Sequence, residues 1–211
     1  MTKKNYKTLK QYGRSELIEK KSRFIGTARP VHSEEEALAF INMMKKEFSD
    51  ATHNVYAYII RDNNIARFSD DGEPGGTAGL PTMEVLKQED LTDVAVVVTR
   101  YFGGTLLGAG GLVRAYSKTA KLGVEAGIIS EMTDCTFLKI CVPYDLYGRL
   151  QYLLEQEKLS PEESDFGQDV SVTVCIRTEL LEDTQKKIIE NTNGRAVCTV
   201  LHSEYRPIEI S

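Results

Sequence analysis

The 211-residue chain contains no tryptophan, and it lacks several features that define large classes of proteins. No apolar run approaches the roughly 20 residues that a membrane span needs. The lysine-rich residues 1–10 also lack the apolar stretch of a signal peptide. The composition, with 41% hydrophobic and 27% charged residues, is that of a globular protein rather than a disordered one. We therefore predict a cytoplasmic protein with no membrane partner.

The sequence has little of what metal and nucleophilic chemistry requires. Its four cysteines stand singly, without a C-x-x-C pair or a histidine at ligand spacing, so we interpret them as buried reduced thiols. No serine lies in a G-x-S-x-G elbow. The segment GAGGLVR at residues 108–114 does not satisfy G-x-G-x-x-G, and no G-K-[ST] is present, which disfavours dinucleotide and Walker-type sites. We predict neither a metal nor a cofactor.

Charge is distributed unevenly along the chain. Residues 1–130 carry 18 Lys and Arg against 16 Asp and Glu, whereas residues 131–211 carry 8 against 15, giving +2 against −7. The first thirty residues alone hold nine basic groups and two acids. Such a segment attracts phosphates, but lysines also protect an edge strand from unwanted pairing, so both interpretations stay open.

The first 130 residues predict strands and helices around glycine-rich loops. Ser33 and Glu36 form a capping box at the start of a helix, and residues 93–101 have the continuous apolar run of a strand buried on both faces. The predicted order is a short strand, a strand at 14–31, a helix at 33–49, a hairpin at 53–69, a short helix at 81–88, a strand at 93–101 and, after residues 103–111, an amphipathic helix.

A second complete set of elements follows. Residues 134–211 read as strand, helix, two strands, helix and strand, and this βαββαβ order is that of a ferredoxin-like domain. Residues 127–133 are the expected boundary. The sequence therefore predicts an α+β protein with domains at residues 1–130 and 134–211.

Glycine is concentrated in one part of the chain. Nine of the sixteen glycines lie between Gly72 and Gly111, which indicates positive φ or close approach to another group. Those that follow the buried strand open a helix, where backbone N–H groups and the helix dipole can receive an anion. The predicted phosphate or nucleic-acid-binding residues are Arg100, Gly103, Gly104, Gly108, Gly110, Gly111, Arg114 and Lys118. Tight packing between helix and strand explains the same glycines, and the two interpretations stay open.

A second candidate site lies at the loop of residues 70–81. Its acids, Asp70, Asp71 and Glu73, could hold magnesium or act as an acid/base pair, with His53 as a general base. Acids clustered in a glycine-proline loop are more often turn formers and solvated charge. We assign no catalytic residue here.

Four stretches of the chain resemble the IMPACT family: SRFIG at 22–26, HNVYAY at 53–58, DDGEPGGTAGLP at 70–81 and RYFGGTLLGAGGLVRAYSKTA at 100–120. The resemblance implies an N-terminal βαβ domain, with a mixed sheet and helices on one face, of the type in ribosomal small-subunit protein five and domain four of elongation factor G. It implies that the ferredoxin-like half is similar to that factor's last domain. Leu106 departs from the pattern, because many relatives carry a basic residue there.

Three functional hypotheses follow. The first is a non-enzymatic binder of RNA or the ribosome, linked to translation regulation, that holds phosphates at the glycine-rich helix N-terminus with the basic N-terminal segment as a flank. The second is a magnesium-dependent enzyme acting on a nucleotide or a phosphorylated small molecule. The third is a module that binds a protein partner and no phosphate, in which the glycines serve packing alone.

Overall fold

The computed structural model describes residues 5–209, and these form two compact units. One unit consists of residues 6–132 with 207–209, and the other of residues 133–206 with Asn5. Lys3 and Lys4 of the basic segment lie outside the described residues. In the described part of the chain, no helix has the length and apolar character needed to cross a bilayer.

The first unit alternates strands with three helices. Its elements in chain order are β1 (Tyr6–Leu9), β2 (Gly13–Glu19), β3 (Ser22–Pro30), α1 (Glu34–Glu47), β4 (His53–Ile60), β5 (Ile65–Ser69), α2 (Gly79–Gln88), β6 (Val94–Tyr101) and α3 (Ala109–Ala126). The capping box is confirmed, because Ser33 Oγ accepts a hydrogen bond from Glu36 N at 3.2 Å.

Strands of this unit form one five-stranded sheet in the order β2-β3-β6-β4-β5. Both β3 and β4 pair antiparallel with β6, so they run parallel to each other with β6 between them. The segment β3-α1-β4 is therefore a split βαβ unit. It places the end of β6 in the middle of the sheet, beside the start of β4.

Two details of the predicted architecture are corrected. Every strand pair of this sheet is antiparallel, so the sheet is not mixed. Helices also cover both faces: Val96 and Val98 of β6 pack in the cluster with α2 and α3, whereas Ala95 and Val97 pack with α1. The reason lies in β6 itself, because its continuous apolar run needs cover on both sides.

The prediction of a single strand at residues 14–31 is wrong. The segment is a hairpin in which Glu19 pairs with Ser22. Lys20 and Lys21 form the turn with φ values of 45° and 67°. A two-residue hairpin of this type needs positive φ at both positions, which usually calls for Asn or Gly, so the two lysines gave no turn signal. The turn lies at the end of the sheet where β6 also ends, because Arg23 pairs with Tyr101.

The second unit has the ferredoxin-like fold, and the α+β class is confirmed. Its elements are β7 (Ile129–Val142), α4 (Tyr144–Gln156), β8 (Pro161–Phe166), β9 (Val170–Arg177), α5 (Leu181–Asn191) and β10 (Val197–Glu209). The strand order is β10-β7-β9-β8. Residues 129–132, at the start of β7, belong to the first unit and pair there with β1. Its core joins Leu138 and Ile140 of β7 to leucines of α4 and to Ile188 of α5.

All four cysteines are free, but only one of them is fully buried. Cys135 is inaccessible, and burial, with Cys175 beside it, raises the pKa of its thiol to about 12. Cys141, Cys175 and Cys198 are half-buried. The interpretation of four buried thiols therefore holds for Cys135 alone.

Candidate functional site

Arg100, at the end of β6, forms a buried ion pair. Its Nη1 donates to Glu73 Oε1 at 2.6 Å, and the two side chains are only 6% and 3% exposed. Tyr116 Oη donates to the same carboxylate oxygen at 2.8 Å, and Arg100 Nη2 donates to Ser22 Oγ at 3.3 Å. These contacts fasten the loop of Glu73 to β6, β3 and α3. The guanidinium of Arg100 is therefore committed to a protein partner.

Tyr116 acts in this cluster as a neutral hydrogen-bond donor. Burial raises the pKa of its phenol strongly, and the negative charge of Glu73 raises it further. The hydroxyl therefore keeps its proton at physiological pH. Its donation to Glu73 compensates part of the cost of burying a carboxylate.

Asp70 binds backbone amides at the start of α2. Its Oδ2 accepts from Gly76 N at 2.9 Å, and its Oδ1 accepts from Ala78 N at 3.1 Å and Gly79 N at 2.8 Å. Although partial burial acts in the opposite direction, these three donors lower the pKa of Asp70. The carboxylate therefore caps the helix and closes the loop.

Asp71 connects the same loop to β4 and α1. Its Oδ2 accepts from Asn54 N at 2.7 Å, and its Oδ1 lies 2.9 Å from Lys45 Nζ. The carbonyl oxygen of Asp71 lies 2.8 Å from His53 Nδ1, and His53 Nε2 is 3.9 Å from Glu73 Oε1. The structure thus brings the second candidate set together around one loop, but each acid has its own protein partner.

The acids of this loop do not converge on a common point. Residues 5–209 contain no group of three or more His, Cys, Asp or Glu side chains arranged to hold a metal ion. The hydrogen bonds described above explain why, since each carboxylate is directed at different donors. Asp70, Asp71 and Glu73 therefore hold the loop in place through their hydrogen bonds and ion pairs.

We expect Asp70→Ala to lower the free energy of unfolding at pH 7 by about 2–3 kcal/mol, because it removes a charged acceptor from three N–H groups. Folding lowers the pKa of Asp70, so the carboxylate stabilises the protein above its unfolded pKa of about 3.9 and loses this effect as pH falls through the lower folded value. Urea unfolding at pH 7 and pH 3 should show the difference from wild type narrowing in acid. Asp62→Ala, at an exposed turn residue, should change stability by less than about 0.5 kcal/mol. An equal loss in both variants would contradict the capping role.

A cavity of about 420 Å³ opens beside the Arg100–Glu73 pair, and we call it the Phe102 cavity. Its principal lining residues are His53, Glu73, Arg100, Phe102, Leu106 and Leu112. Phe102 is 46% exposed, and Leu106, which departs from the family pattern, is 84% exposed. The cavity therefore combines apolar and aromatic walls with a small group of polar side chains.

A separate cleft of about 240 Å³, the α3 cleft, holds the other predicted cations. Arg114 and Lys118 of α3 line it together with Lys20 of the hairpin turn and one acid, Glu19. No carboxylate of residues 5–209 forms an ion pair with Lys20, Arg114 or Lys118. The structure therefore separates Arg100, which lines the Phe102 cavity, from this set of unpaired cations.

Glycines around the start of α3 have different structural roles. Gly104 and Gly108 have φ values of 80° and 74°. A Cβ on Gly103 would overlap the backbone carbonyl of Lys21, and one on Gly111 would lie 3.0 Å from Leu107 Cβ. Gly110 has open space up to Arg114, whose Nη1 is 3.8 Å from the position of such a Cβ. Both interpretations of these glycines thus have a structural basis.

The N-terminus of α3 is uncapped. Gly108 occupies the cap position, no side chain accepts a hydrogen bond there, and the first turn contains no acid. The first N–H groups of a helix have no partner within the helix, so they are available to an anion. Arg114, close to Gly110, brings a guanidinium to the same turn.

Sequence reasoning missed three features of this region. It did not connect Ser22 and Tyr116 with Arg100, and it counted Lys20 only among the nine basic groups of the first thirty residues. Tyr116 lies on the apolar face of α3, so a helical pattern cannot show that its hydroxyl meets a carboxylate. Lys20 reaches α3 only because of the hairpin.

Comparisons with known proteins extend over both units. Residues 20–124 match the model of the Impact N-terminal domain, and residues 140–195 match a domain of unknown function, DUF1949. The chain is 37% identical over 193 residues to the IMPACT family member YvyE of Bacillus subtilis, covering 91% of this chain and 89% of the relative. It is 32% identical over 178 residues to the IMPACT family member YigZ of Escherichia coli, covering 83% and 87%. A crystal structure of a hypothetical protein is similar with a TM-score of 0.58 and 28% identity, covering 96% of this chain and 98% of that one.

Proposed function

The chain belongs to the IMPACT family, and from this premise we propose that it is a non-enzymatic RNA-binding protein that holds phosphates at the N-terminus of α3 and in the α3 cleft. The proposed setting is translation regulation at the ribosome. The fold analogy with translation proteins supports this setting by association alone. Cytoplasmic localisation remains a prediction.

The observation that carries the proposal is the group of three cations beside an uncapped helix. Lys20, Arg114 and Lys118 line one cleft without carboxylate partners among residues 5–209. A phosphate in this cleft would neutralise cations that no protein group neutralises, and the N–H groups of α3 lie one turn away. Arg contributes planar bidentate contacts, whereas Lys contributes a point charge. Phosphate binding in the α3 cleft does not involve Arg100 or its ion pair with Glu73.

The enzymatic hypothesis has weaker support. It requires Asp70, Asp71 and Glu73 to bind magnesium, yet their oxygens accept from backbone amides, Lys45, Arg100 and Tyr116. Moving them to a metal would break the contacts that fix the loop. The hypothesis of a protein partner rests on the exposed side chains of Phe102 and Leu106. It differs from RNA binding because it predicts weak dependence on salt and no effect of the α3 cations.

The test is binding of fluorescent single-stranded RNA to the full chain across a salt series. We expect binding to weaken with salt and Arg114→Glu and Lys118→Glu each to weaken it roughly tenfold at low salt. Each should also reduce the slope of log K against log salt by about 0.7 for every phosphate that the variant no longer neutralises. Fluorescence anisotropy supplies both quantities.

Lys186→Glu is the matched control, because it changes the net charge equally on an exposed position of α5 in the other unit. It should leave affinity within about twofold of wild type if the contacts are local. Equal losses in all three variants would mean that only net charge matters. The proposal fails if wild type does not bind RNA at low salt.

A further inference from the structure

The Phe102 cavity lies next to the α3 cleft, and this arrangement has a consequence for the ligand. We propose that the cavity receives one unstacked nucleobase of a single-stranded RNA whose phosphates lie at α3. The inference rests on the proposed function and adds a base-binding site to it. It assigns a role to the Arg100–Glu73 cluster that phosphate binding does not use.

The walls of the cavity suit a flat aromatic ring. Phe102 offers a ring that is partly exposed, and Leu106, Leu107 and Leu112 supply apolar surface. Proteins that bind single-stranded RNA stack unpaired bases on such side chains. The side chains of Phe102 and these leucines suit a base better than a phosphate, because a phosphate packed against them would lose hydration and they offer no hydrogen-bond donors.

The floor of the cavity offers an acceptor that the protein does not use. Both hydrogen bonds of Glu73, from Arg100 and from Tyr116, end on Oε1. Oε2 has no hydrogen-bond partner among residues 5–209, although the side chain is only 3% exposed and lines the cavity. Oε2 is not one of the fully inaccessible polar atoms that lack a partner, so it stays open to a donor that enters the cavity. An N–H group on the edge of a base would satisfy it.

The charge of the floor favours an uncharged ligand. Arg100 and Glu73 form an ion pair with no net charge, so together they attract neither an anion nor a cation, and Glu73 Oε2 remains as an acceptor. His53, 3.9 Å from Glu73, adds a second polar group at the same wall. Nucleobases are neutral and carry donors and acceptors on one edge, which matches this combination.

The two sites are within reach of one nucleotide chain. Leu107 lines both the Phe102 cavity and the α3 cleft, and Gly108 and Ala109 at the start of α3 line the cavity. A base in the cavity therefore places its backbone at the helix N-terminus. At about 420 Å³ the cavity falls in the lower part of the roughly 300–1,000 Å³ range of ligand sites, which fits a single nucleoside. A base inside a duplex could not enter.

The absence of tryptophan provides a direct test. Phe102→Trp places the sole tryptophan of the protein at the cavity wall, where a stacked base should quench its fluorescence. The full-length variant is titrated with an eight-residue single-stranded RNA, its duplex, the same strand with abasic residues, and the four nucleoside 5′-monophosphates. Tyr144→Trp, at an exposed position of α4, is the matched control. Circular dichroism verifies that both variants are folded.

We expect the single strand to quench Phe102→Trp but not Tyr144→Trp, and to bind more tightly than the duplex or the abasic strand. Phe102→Ala in the otherwise native chain should weaken single-strand binding about tenfold, the effect of losing one stacked base. Phe102 is half-exposed, so this variant should fold.

Other outcomes separate the inference from the proposed function. One outcome is salt-dependent RNA binding that Arg114→Glu abolishes, together with equal affinities for the normal and the abasic strand and no effect of Phe102→Ala. In that case the base site is wrong and the phosphate site stands. If monophosphates quench while no RNA binds, a free nucleotide is the ligand and RNA is overturned for both. If the RNAs do not bind and neither RNA nor monophosphates quench the fluorescence of Phe102→Trp, both proposals fail.

Discussion

Replacing Arg100 with alanine is expected to lower the free energy of unfolding by about 3–5 kcal/mol. The substitution leaves the carboxylate of Glu73 buried, with Tyr116 as its remaining donor at Oε1. A buried charge that loses its partner keeps its desolvation cost without the compensating attraction. Urea unfolding of wild type and variant, followed by circular dichroism, measures the loss. Two transitions, if present, should be fitted separately for the two units.

Arg23→Ala is the control for the loss of an arginine from the same sheet. Its Nη2 lies 2.8 Å from Glu16 Oε2, but both side chains are about half exposed at 51% and 45%. Exposed ion pairs contribute little, so this variant should lose at most about 1 kcal/mol. The double variant Arg100→Met with Glu73→Gln should recover part of the loss of Arg100→Ala, because it removes both charges. Equal effects of Arg100→Ala and Arg23→Ala would contradict the buried pair.

The burial of this ion pair decides which variants can test RNA binding. Charge reversal at Arg100 would put a second carboxylate next to Glu73, so it would unfold the site whether or not a phosphate binds there. Arg114 and Lys118 have no carboxylate partner within the described chain. Substitutions at these two residues therefore change RNA binding without breaking a buried ion pair.

Gly26→Ala should destabilise the same unit by about 1–3 kcal/mol or more. Gly26 lies in β3, paired with Ser15 on one side and Val98 on the other. A Cβ at this position would overlap the backbone carbonyl of Thr119 in α3. Backbone cannot change rotamer, so the helix has to move away from the sheet and loses packing along its length.

Gly148→Ala makes the same substitution where nothing obstructs it. Gly148 is exposed within α4, and a Cβ there would have no neighbour within 4 Å. Alanine is the better helix former, so this variant should gain up to about 1 kcal/mol. The two variants therefore have opposite signs in urea unfolding. A gain in both would show that α3 does not approach β3 as closely as the structure has it.

Local patterns were sufficient for most of the fold. The helix after Ser33, the buried strand ending at Tyr101 and the βαββαβ order after residue 133 follow from hydrophobic period and capping residues. These signals act over a few residues, so they are readable without tertiary structure. The hairpin at Lys20 was not readable, because its positive φ values occur at residues without turn preference.

The candidate site was predictable only as a set of residue types. Residue types and their spacing indicate that glycines, acids and arginines gather in residues 70–118 and that the glycines open a helix. The pairing of Arg100 with Glu73, 27 residues away, becomes visible only in the folded chain, as does the cleft that Lys20 shares with Arg114 and Lys118. Charged residues follow no periodic pattern along the chain, so the sequence does not show whether an arginine is buried in an ion pair or available to a phosphate. That depends on which distant groups the packing brings next to it.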